Sequence, residues 1–180
     1  MADKKTSLGP TGQTAAANVK RIRERQRLSY AELSRKLDEI GRPIATLGLS
    51  RIENGARRID ADDLVALAAA LGVSPITLLM PDSESEDETV ESTAGTVPAK
   101  RLWKWLQADR PLDGEVTAES LLTFSGEALP TWRMRDLGEG IKGLLDLQAG
   151  GERAEAVMRK HPDIVDRVTA EAKHADGDDK

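Results

Sequence analysis

The sequence contains no cysteine and few aromatic residues. The absence of Cys among 180 residues excludes disulfide bonds, thiolate nucleophiles and Cys-based zinc sites. Aromatic residues make up only 3% of the chain, so any core must be built from aliphatic side chains. No apolar run approaches the roughly 18 residues of a membrane-spanning helix, and the N-terminal residues lack the apolar stretch of a secretory signal. We therefore expect a cytoplasmic protein without a membrane partner.

Groups that support catalysis or hold a cofactor are also scarce. The two His residues, His161 and His174, are too isolated to form a metal site. No pairing of a nucleophile with a base is visible, and no Gly-rich loop has the spacing that cradles a phosphate. We therefore expect a protein that is not an enzyme and that has no metal and no cofactor.

The two parts of the chain differ in charge. Residues 1–81 hold 13 Lys and Arg against 9 Asp and Glu, whereas residues 82–180 hold 13 against 22, within a net charge of −5. This asymmetry predicts two modules with different partners, the basic one being the candidate for binding a polyanion. Within the basic part, residues 18–58 carry 11 basic and only 5 acidic side chains.

Residues 14–81 have the apolar periodicity of five short helices, following a flexible arm at residues 1–13. The first helix is expected from about Thr14 to Leu28. The second begins at Ser29, which forms a capping box with Glu32 because each side chain can bond the other's backbone amide.

The third predicted helix runs from Pro43 to Glu53, since Pro is favoured in the first turn of a helix. It ends at Asn54-Gly55, where Gly can adopt the left-handed conformation of a helix C-terminus. A fourth helix follows the acidic cap at residues 60–63, and a fifth starts at Ser74-Pro75. No strand-like alternation is evident.

The remainder of the chain divides into a linker and a second helical module. Residues 82–99 contain six acids, no basic residue and few large apolar residues, which predicts an acidic disordered linker. Residues 100–175 are expected to form a helical module, followed by a polar tail at 176–180. Its helices are predicted near residues 98–108, 117–124, 130–148, 151–160 and 162–174. The apolar stripe of the long helix, which suits either a self-contained core or a dimer contact, consists of Met134, Leu137, Ile141, Leu144 and Leu145.

Three segments of the first module, in this order and spacing, resemble the Xre/Cro-repressor type of helix-turn-helix domain. They are LSYAEL at residues 28–33, LGLSRIENGARR at 47–58 and LVALAAALGVSPITLL at 64–79. The resemblance covers about residues 14–81. It implies an all-α fold, in which a five-helix repressor-like domain is joined to the second helical module by the acidic linker.

The resemblance also implies a function. Members of this family place the third helix in the major groove of double-stranded DNA, with the second helix across the backbone, and they generally dimerise on paired half-sites. We therefore expect a nucleoid-associated, sequence-specific transcriptional regulator, a repressor of bacterial or phage type that acts as a homodimer.

Ten residues occupy positions that the resemblance assigns to DNA. The start of the third helix and Arg51 are expected to face the base edges, since a guanidinium can form two parallel hydrogen bonds with the edge of a guanine. Tyr30 stands where the family usually has a Gln that bonds a phosphate. Four further positions commonly meet phosphate in the family, namely those of Ser50, Asn54, Arg57 and Arg58. The full set is Tyr30, Arg42, Ala45, Thr46, Leu47, Ser50, Arg51, Asn54, Arg57 and Arg58.

The sequence departs from the family pattern in the motif itself. The turn DEIGRPI, at residues 38–44, is about three or four residues longer than usual in the family. The third helix begins with Ala-Thr-Leu-Gly and so offers few hydrogen-bonding groups, which favours contacts with thymine methyl groups and with DNA shape. Gly48 costs helix stability, by about 1 kcal/mol relative to Ala, and therefore indicates a close approach by DNA or by the preceding helix.

Several alternatives remain open on the sequence alone. Arg51 could instead pair with Glu53 or another acid, and Tyr30 could be a half-buried residue at the start of its helix. Glu53 is expected to be structural. The acidic second module also allows a protein-interaction adaptor, or an antitoxin that binds both a protein partner and DNA.

Overall fold

The computed structural model describes residues 8–148, with side chains described as far as residue 142. This part of the chain is mainly helical, with eight helices and one small antiparallel sheet of two strands. It divides into two compact units, the first ending at Gly114 and the second starting at Glu115. The elements are α1 (Pro10–Arg25), α2 (Tyr30–Glu39), α3 (Thr46–Glu53), α4 (Ala61–Leu71), α5 (Pro75–Leu79), β1 (Thr89–Ser92), β2 (Gly95–Pro98), α6 (Ala99–Leu106), α7 (Ala118–Ala128) and α8 (Thr131–Gln148).

The first helix begins earlier than the sequence predicts. α1 starts at Pro10, so the expected flexible arm is wrong for residues 10–13. Pro10 fits the first helical position because its fixed φ suits a helix and its missing N–H has no partner to lose there. The amide of Gln13 donates to the Gly9 carbonyl at 3.0 Å, which closes the first turn.

The predicted capping box of α2, the predicted glycine stop of α3 and the predicted acidic cap of α4 are confirmed. Ser29 accepts from the Glu32 amide at 3.2 Å, and the Glu32 carboxylate accepts from the Ser29 amide at 2.8 Å. Gly55 and Gly72, at the ends of α3 and α4, have φ values of 68° and 66°. These left-handed conformations are easily adopted by Gly, which lacks a Cβ.

The third helix begins at Thr46, and the expected start at Pro43 is wrong. The reason is Ile44, whose side chain is buried in the core and whose carbonyl accepts a hydrogen bond from Ser34 Oγ at 2.7 Å. Because this carbonyl is bonded to α2, Pro43 and Ile44 belong to the connection between the helices. The long connection is therefore folded against the domain.

One hydrophobic core holds α1 to α5 together. Ala31, near the start of α2, lies outside this core and is exposed. Asn18 is buried, and its Nδ2 donates to the carbonyls of Leu78 at 3.1 Å and Met80 at 2.7 Å, which ties α1 to the end of α5. The largest fully buried side chains of this core are Val19, Ile22, Leu33, Leu37, Leu49, Ile52, Leu67, Leu71 and Leu78.

The predicted disordered linker at residues 82–99 contains a β-hairpin. β1 and β2 pair antiparallel, with Val90 opposite Val97 and Ser92 opposite Gly95. The short loop is held by Ser92 Oγ, which donates to the Gly95 carbonyl at 3.0 Å. The expectation of disorder rested on acidic composition, but the strand residues are rich in Thr and Val, which favour a pleated strand. Val90 is buried, so the hairpin has a packed face.

The hairpin and α6 belong to the first unit. Val90, Leu102 and Leu112 form a second apolar cluster, against which Met80 at the end of α5 also packs. The hairpin loop is bonded to α1 as well, because the Thr93 amide donates to Thr11 Oγ1 at 2.9 Å. The boundary between the units therefore lies at residues 114–115, where the sequence placed it at residues 99–100.

The second unit contains α7 and α8. Thr117 caps α7, since its Oγ1 accepts from the Ser120 amide at 3.1 Å. No hydrophobic side chain among residues 115–142 is buried, and Leu122 and Trp132 are 56% and 62% exposed. The helices predicted at 151–160 and 162–174 lie outside the described residues, as do the side chains of Leu144 and Leu145. Among the described helices, none is both long and apolar enough to cross a membrane.

Candidate nucleic-acid interface

α3 has one buried and one exposed face. Leu49 and Ile52 are fully buried and fix the helix in the core. The opposite face carries Thr46, Leu47 and Arg51, all of which are exposed. Leu47 is 61% exposed. The face therefore offers methyl groups and one guanidinium.

The N-terminus of α3 has no side-chain cap. Ala45 occupies the N-cap position in an extended conformation and provides no acceptor for the first amides of the helix. In α2, by contrast, the capping box of Ser29 and Glu32 satisfies the corresponding amides. Free amides and the positive end of the helix dipole favour an anion, and phosphate is the anion that DNA supplies.

Arg51 and Arg58 are the two exposed arginines at the C-terminal half of α3 and just beyond it. Neither makes an ion pair or a side-chain hydrogen bond within residues 8–148. The alternative pairing of Arg51 with Glu53 is wrong, since the Glu53 carboxylate is buried and bonded elsewhere. Both guanidinium groups are thus available to an external anion or base.

Ser50 and Asn54, expected to bind phosphate, are bonded to each other. Asn54 Nδ2 donates to the Ser50 carbonyl at 2.8 Å and lies 3.4 Å from Ser50 Oγ. The amide side chain thereby closes the last turn of α3, before the left-handed Gly55.

Tyr30 is held by two residues of the domain. Its hydroxyl donates to Glu53 Oε2 at 2.9 Å, and the Arg23 guanidinium lies 4.4 Å from the ring centroid, a cation–π distance. Burial and the bond to Glu53 both raise the pKa of the Tyr30 hydroxyl. Because the hydroxyl proton is already shared with Glu53, the structure favours the half-buried, structural alternative for Tyr30.

The carboxylate of Glu53 is the centre of this cluster. Arg23 donates to it twice, from Nε to Oε1 at 2.6 Å and from Nη2 to Oε2 at 2.8 Å. This hydrogen bonding raises the pKa of Arg23 against the opposing effect of burial. The structural role expected for Glu53 is confirmed.

Arg42 and Arg57 both bond to Asp63, a buried residue near the start of α4. Arg42 Nε lies 2.9 Å from Asp63 Oδ1, and Arg57 Nη2 lies 2.6 Å from Asp63 Oδ2. Arg42 Nη2 also donates to Asp60 Oδ2 at 2.8 Å. Two of the ten predicted DNA contacts are therefore engaged in ion pairs inside the domain.

The sequence analysis missed Arg23 and Asp63. Asp63 was interpreted only as one of several acids in the first turn of α4, and Arg23 only as part of the basic stretch. Asp63 lies 21 residues from its partner Arg42, and Arg23 lies 30 residues from its partner Glu53. No local spacing in the sequence therefore reveals these two pairs. Within the described range, no group of three or more His, Asp or Glu side chains is arranged to hold a metal ion.

Residues 19–78 match the family described as helix-turn-helix. The match spans the C-terminal part of α1, all of α2, α3 and α4, and nearly all of α5. It confirms the predicted resemblance to the Xre/Cro type for the N-terminal part of the chain. No match was found among curated proteins or among solved structures. The helix-turn-helix domain supports a DNA-binding regulator.

Proposed function

We propose that this protein is a sequence-specific transcriptional regulator that binds double-stranded DNA by placing α3 in the major groove, and that it represses the promoters it binds. The observation that carries the proposal is the outer face of α3. Leu47 and Arg51 are exposed there beside an uncapped helix N-terminus, and Arg51 makes no ion pair or side-chain hydrogen bond within the described residues. A buried anchor with an exposed reading face is what the major groove requires of a recognition helix.

The chemistry of this face suggests which bases it reads. Arg51 has two parallel donors for the O6 and N7 of guanine. Leu47, with Ala45 and the methyl of Thr46, provides an apolar surface that suits the thymine methyl group. Arg58 and the free amides of α3 bind the phosphates that position the helix. Ser50 and Asn54 remain proposed phosphate contacts, which would have to exchange their mutual hydrogen bonds.

A homodimer is the proposed functional form. One small module contacts too few base pairs for high affinity, so two copies on paired half-sites are expected. The second unit supplies the dimer contact in this proposal, supported by the exposure of Leu122, Trp132 and Ile141. We place the protein on the nucleoid in the cytoplasm.

Selection of DNA from random sequence tests the proposal, run in parallel on the wild type, Arg51→Ala and Arg58→Ala. The wild type should enrich a palindromic site that contains guanine and thymine positions. Arg51→Ala should lose the guanine preference, whereas Arg58→Ala should keep the same site with lower affinity, because a phosphate contact carries no base preference. Failure of the wild type to enrich any site at moderate salt would refute the proposal.

A protein-interaction adaptor or antitoxin is the second candidate. It is supported by the same exposed apolar residues of the second unit, which also suit a different protein as partner. The absence of an enriched DNA site, together with a partner captured by residues 115–180, would favour the adaptor. An antitoxin should show both activities.

A further inference from the structure

The buried carboxylate of Asp63 accepts hydrogen bonds from one residue that precedes α3 in the chain and from one that follows it. Its side chain is 1% exposed. Arg42, which precedes α3, and Arg57, which follows it, bond to its two different oxygens at 2.9 Å and 2.6 Å. A carboxylate so far removed from water is stable only when it is paired and hydrogen-bonded. The pairing therefore constrains both ends of the segment that contains α3.

Arg42 anchors the long connection between α2 and α3. Its guanidinium bridges Asp63 and Asp60, and the Asp60 side chain in turn caps α4 by accepting from the Asp63 amide at 2.7 Å. Hydrogen bonding to Asp63 raises the pKa of Arg42. On the other side of the connection, Ser34 holds the Ile44 carbonyl. The extra residues of the turn are thus tied to α2 and to α4.

Arg57 lies against the middle of α3. A Cβ built on Gly48 would be 3.0 Å from Arg57 Nη1 and 3.1 Å from Ile44 Cγ2. Both distances are shorter than an ordinary carbon contact, so the glycine gives the guanidinium room to reach Asp63. The close approach inferred from Gly48 is therefore made by Arg57 and Ile44.

We propose that Asp63 is the positioning residue of the recognition helix: by holding Arg42 and Arg57 it fixes how α3 presents Leu47 and Arg51 to DNA. This inference rests on the proposed DNA-binding function. It assigns Arg42 and Arg57 a positioning role in place of the DNA contacts expected from the sequence.

The rival assignment predicts the opposite sign of effect. If Arg42 and Arg57 bound phosphates, loss of the Asp63 charge would free two cations and remove a repulsive charge, and DNA affinity would rise with a steeper salt dependence. If Asp63 positions α3, loss of its charge releases the helix, and specific affinity falls although the protein becomes more positive. One substitution therefore separates the two assignments.

The test compares Asp63→Asn with Asp62→Asn in the full chain. Asp62 is the matched control, because it lies on the same turn but its side chain is 82% exposed and its contact with Arg42 is long, at 3.8 Å. We expect Asp63→Asn to lose affinity for the selected site by about tenfold or more, the scale of one hydrogen bond to a charged group. Its binding to a scrambled duplex and its salt dependence should stay at the wild-type level, and Asp62→Asn should bind the selected site at least as well as the wild type. Tighter binding by Asp63→Asn would overturn the proposal.

Two further measurements keep the test decisive. Arg42→Lys retains the charge but cannot bridge Asp60 and Asp63, so it should lose specific affinity. The control is Arg35→Lys, because Arg35 is 71% exposed and its ion pair, with Glu39, is 3.9 Å long; it should bind like the wild type, and equal losses in the two variants would overturn the proposal. Amide hydrogen exchange of Gly41 and Arg42, whose amides bond Asp38 and Leu37, is measured without DNA. Faster exchange in Asp63→Asn supports the anchor even if no DNA site is found, and unchanged exchange counts against it.

Discussion

Arg23 and Glu53, 30 residues apart, form a two-pronged ion pair between α1 and the end of α3. Their side chains are 11% and 1% exposed. Because Tyr30 at the start of α2 bonds the same carboxylate, three helices meet at one charged group. Replacing both partners of such a buried ion pair by apolar residues changes the stability of a protein little. Removing one partner alone is strongly destabilising, because it leaves a buried charge without its counter-ion.

Glu53→Ala should therefore destabilise the domain strongly. The substitution leaves the Arg23 guanidinium without its carboxylate in a mostly buried position, and breaking such a pair costs about 3–5 kcal/mol. Urea unfolding followed by circular dichroism measures the loss. Glu24→Ala is the control, because Glu24 contacts the same arginine at 3.5 Å but is 54% exposed, and it should change stability by less than about 1 kcal/mol. Equal losses in the two variants would contradict the central role of Glu53.

Local signals in the sequence were enough to predict most of the first unit. The capping box of Ser29 and Glu32 and the glycine stop at Gly55 depend on neighbours within four residues, and both are present in the structure. The buried face of α3 is also a local feature, because Leu49 and Ile52 lie three residues apart and a core helix buries residues at that spacing.

Features that depend on distant partners were not predictable. The hairpin was missed because its loop lacks a strong turn signal and because Val90 becomes a core residue only when Leu102 packs on it. The start of α3 was misplaced because the bond between Ser34 and Ile44 outweighs the preference of Pro43 for a first helical turn. The roles of Arg42 and Arg57 also required knowledge of Asp63.

Gly48→Ala tests the crowding beside α3. Alanine would normally stabilise a helix interior by about 1 kcal/mol relative to Gly. Here its Cβ would press on Ile44, which is buried, and on the Arg57 guanidinium, which is held by Asp63. We expect a net loss of stability in urea unfolding and a weaker affinity for the selected DNA. An increase in stability by the full helix-propensity gain would show that Arg57 moves freely.

The hairpin and α6 should stabilise the helix-turn-helix domain. A fragment of residues 1–81 loses the hydrogen bond from Thr93 to Thr11 and the packing of Met80 against the second apolar cluster. Compared with a fragment of residues 1–114, it should melt at a lower temperature, by about 4–8 °C for each kcal/mol lost. Thr11→Val in the longer fragment is a smaller perturbation, with an expected cost of about 0.5–1.5 kcal/mol. Identical melting of the two fragments would mean that the hairpin folds independently.

Arg58→Ala should weaken binding to every DNA sequence alike. Arg58 is exposed and has no partner among the described residues, so its replacement should leave the fold unchanged. Removal of one phosphate contact should reduce the slope of log K against log salt concentration by about 0.9. Fluorescence anisotropy over a series of salt concentrations measures the slope on the selected and scrambled duplexes. A loss confined to the selected duplex would identify Arg58 as a base contact.

Acid should destabilise the domain through its helix caps. Hydrogen bonds from the Ser29 side chain and amide lower the pKa of Glu32 from its ordinary value of 4.5, and the Asp63 amide lowers that of Asp60 from 3.8. A carboxyl group whose pKa is lower in the folded state contributes stability above its unfolded pKa, and this contribution is lost as the pH falls through the folded pKa.

Urea unfolding measured from about pH 7 to about pH 3 tests this dependence. The wild type should lose stability as the pH falls below the ordinary carboxyl values. Glu32→Gln should be less stable than the wild type at neutral pH but should lose less on acidification, because its cap cannot be protonated. The control is Glu39→Gln at the other end of α2. Within the described residues, Glu39 makes one ion pair, to Arg35 at 3.9 Å. The stability of this variant should fall with pH in parallel with that of the wild type. If the Glu32→Gln profile also ran parallel, the capping box would not be a source of the acid sensitivity.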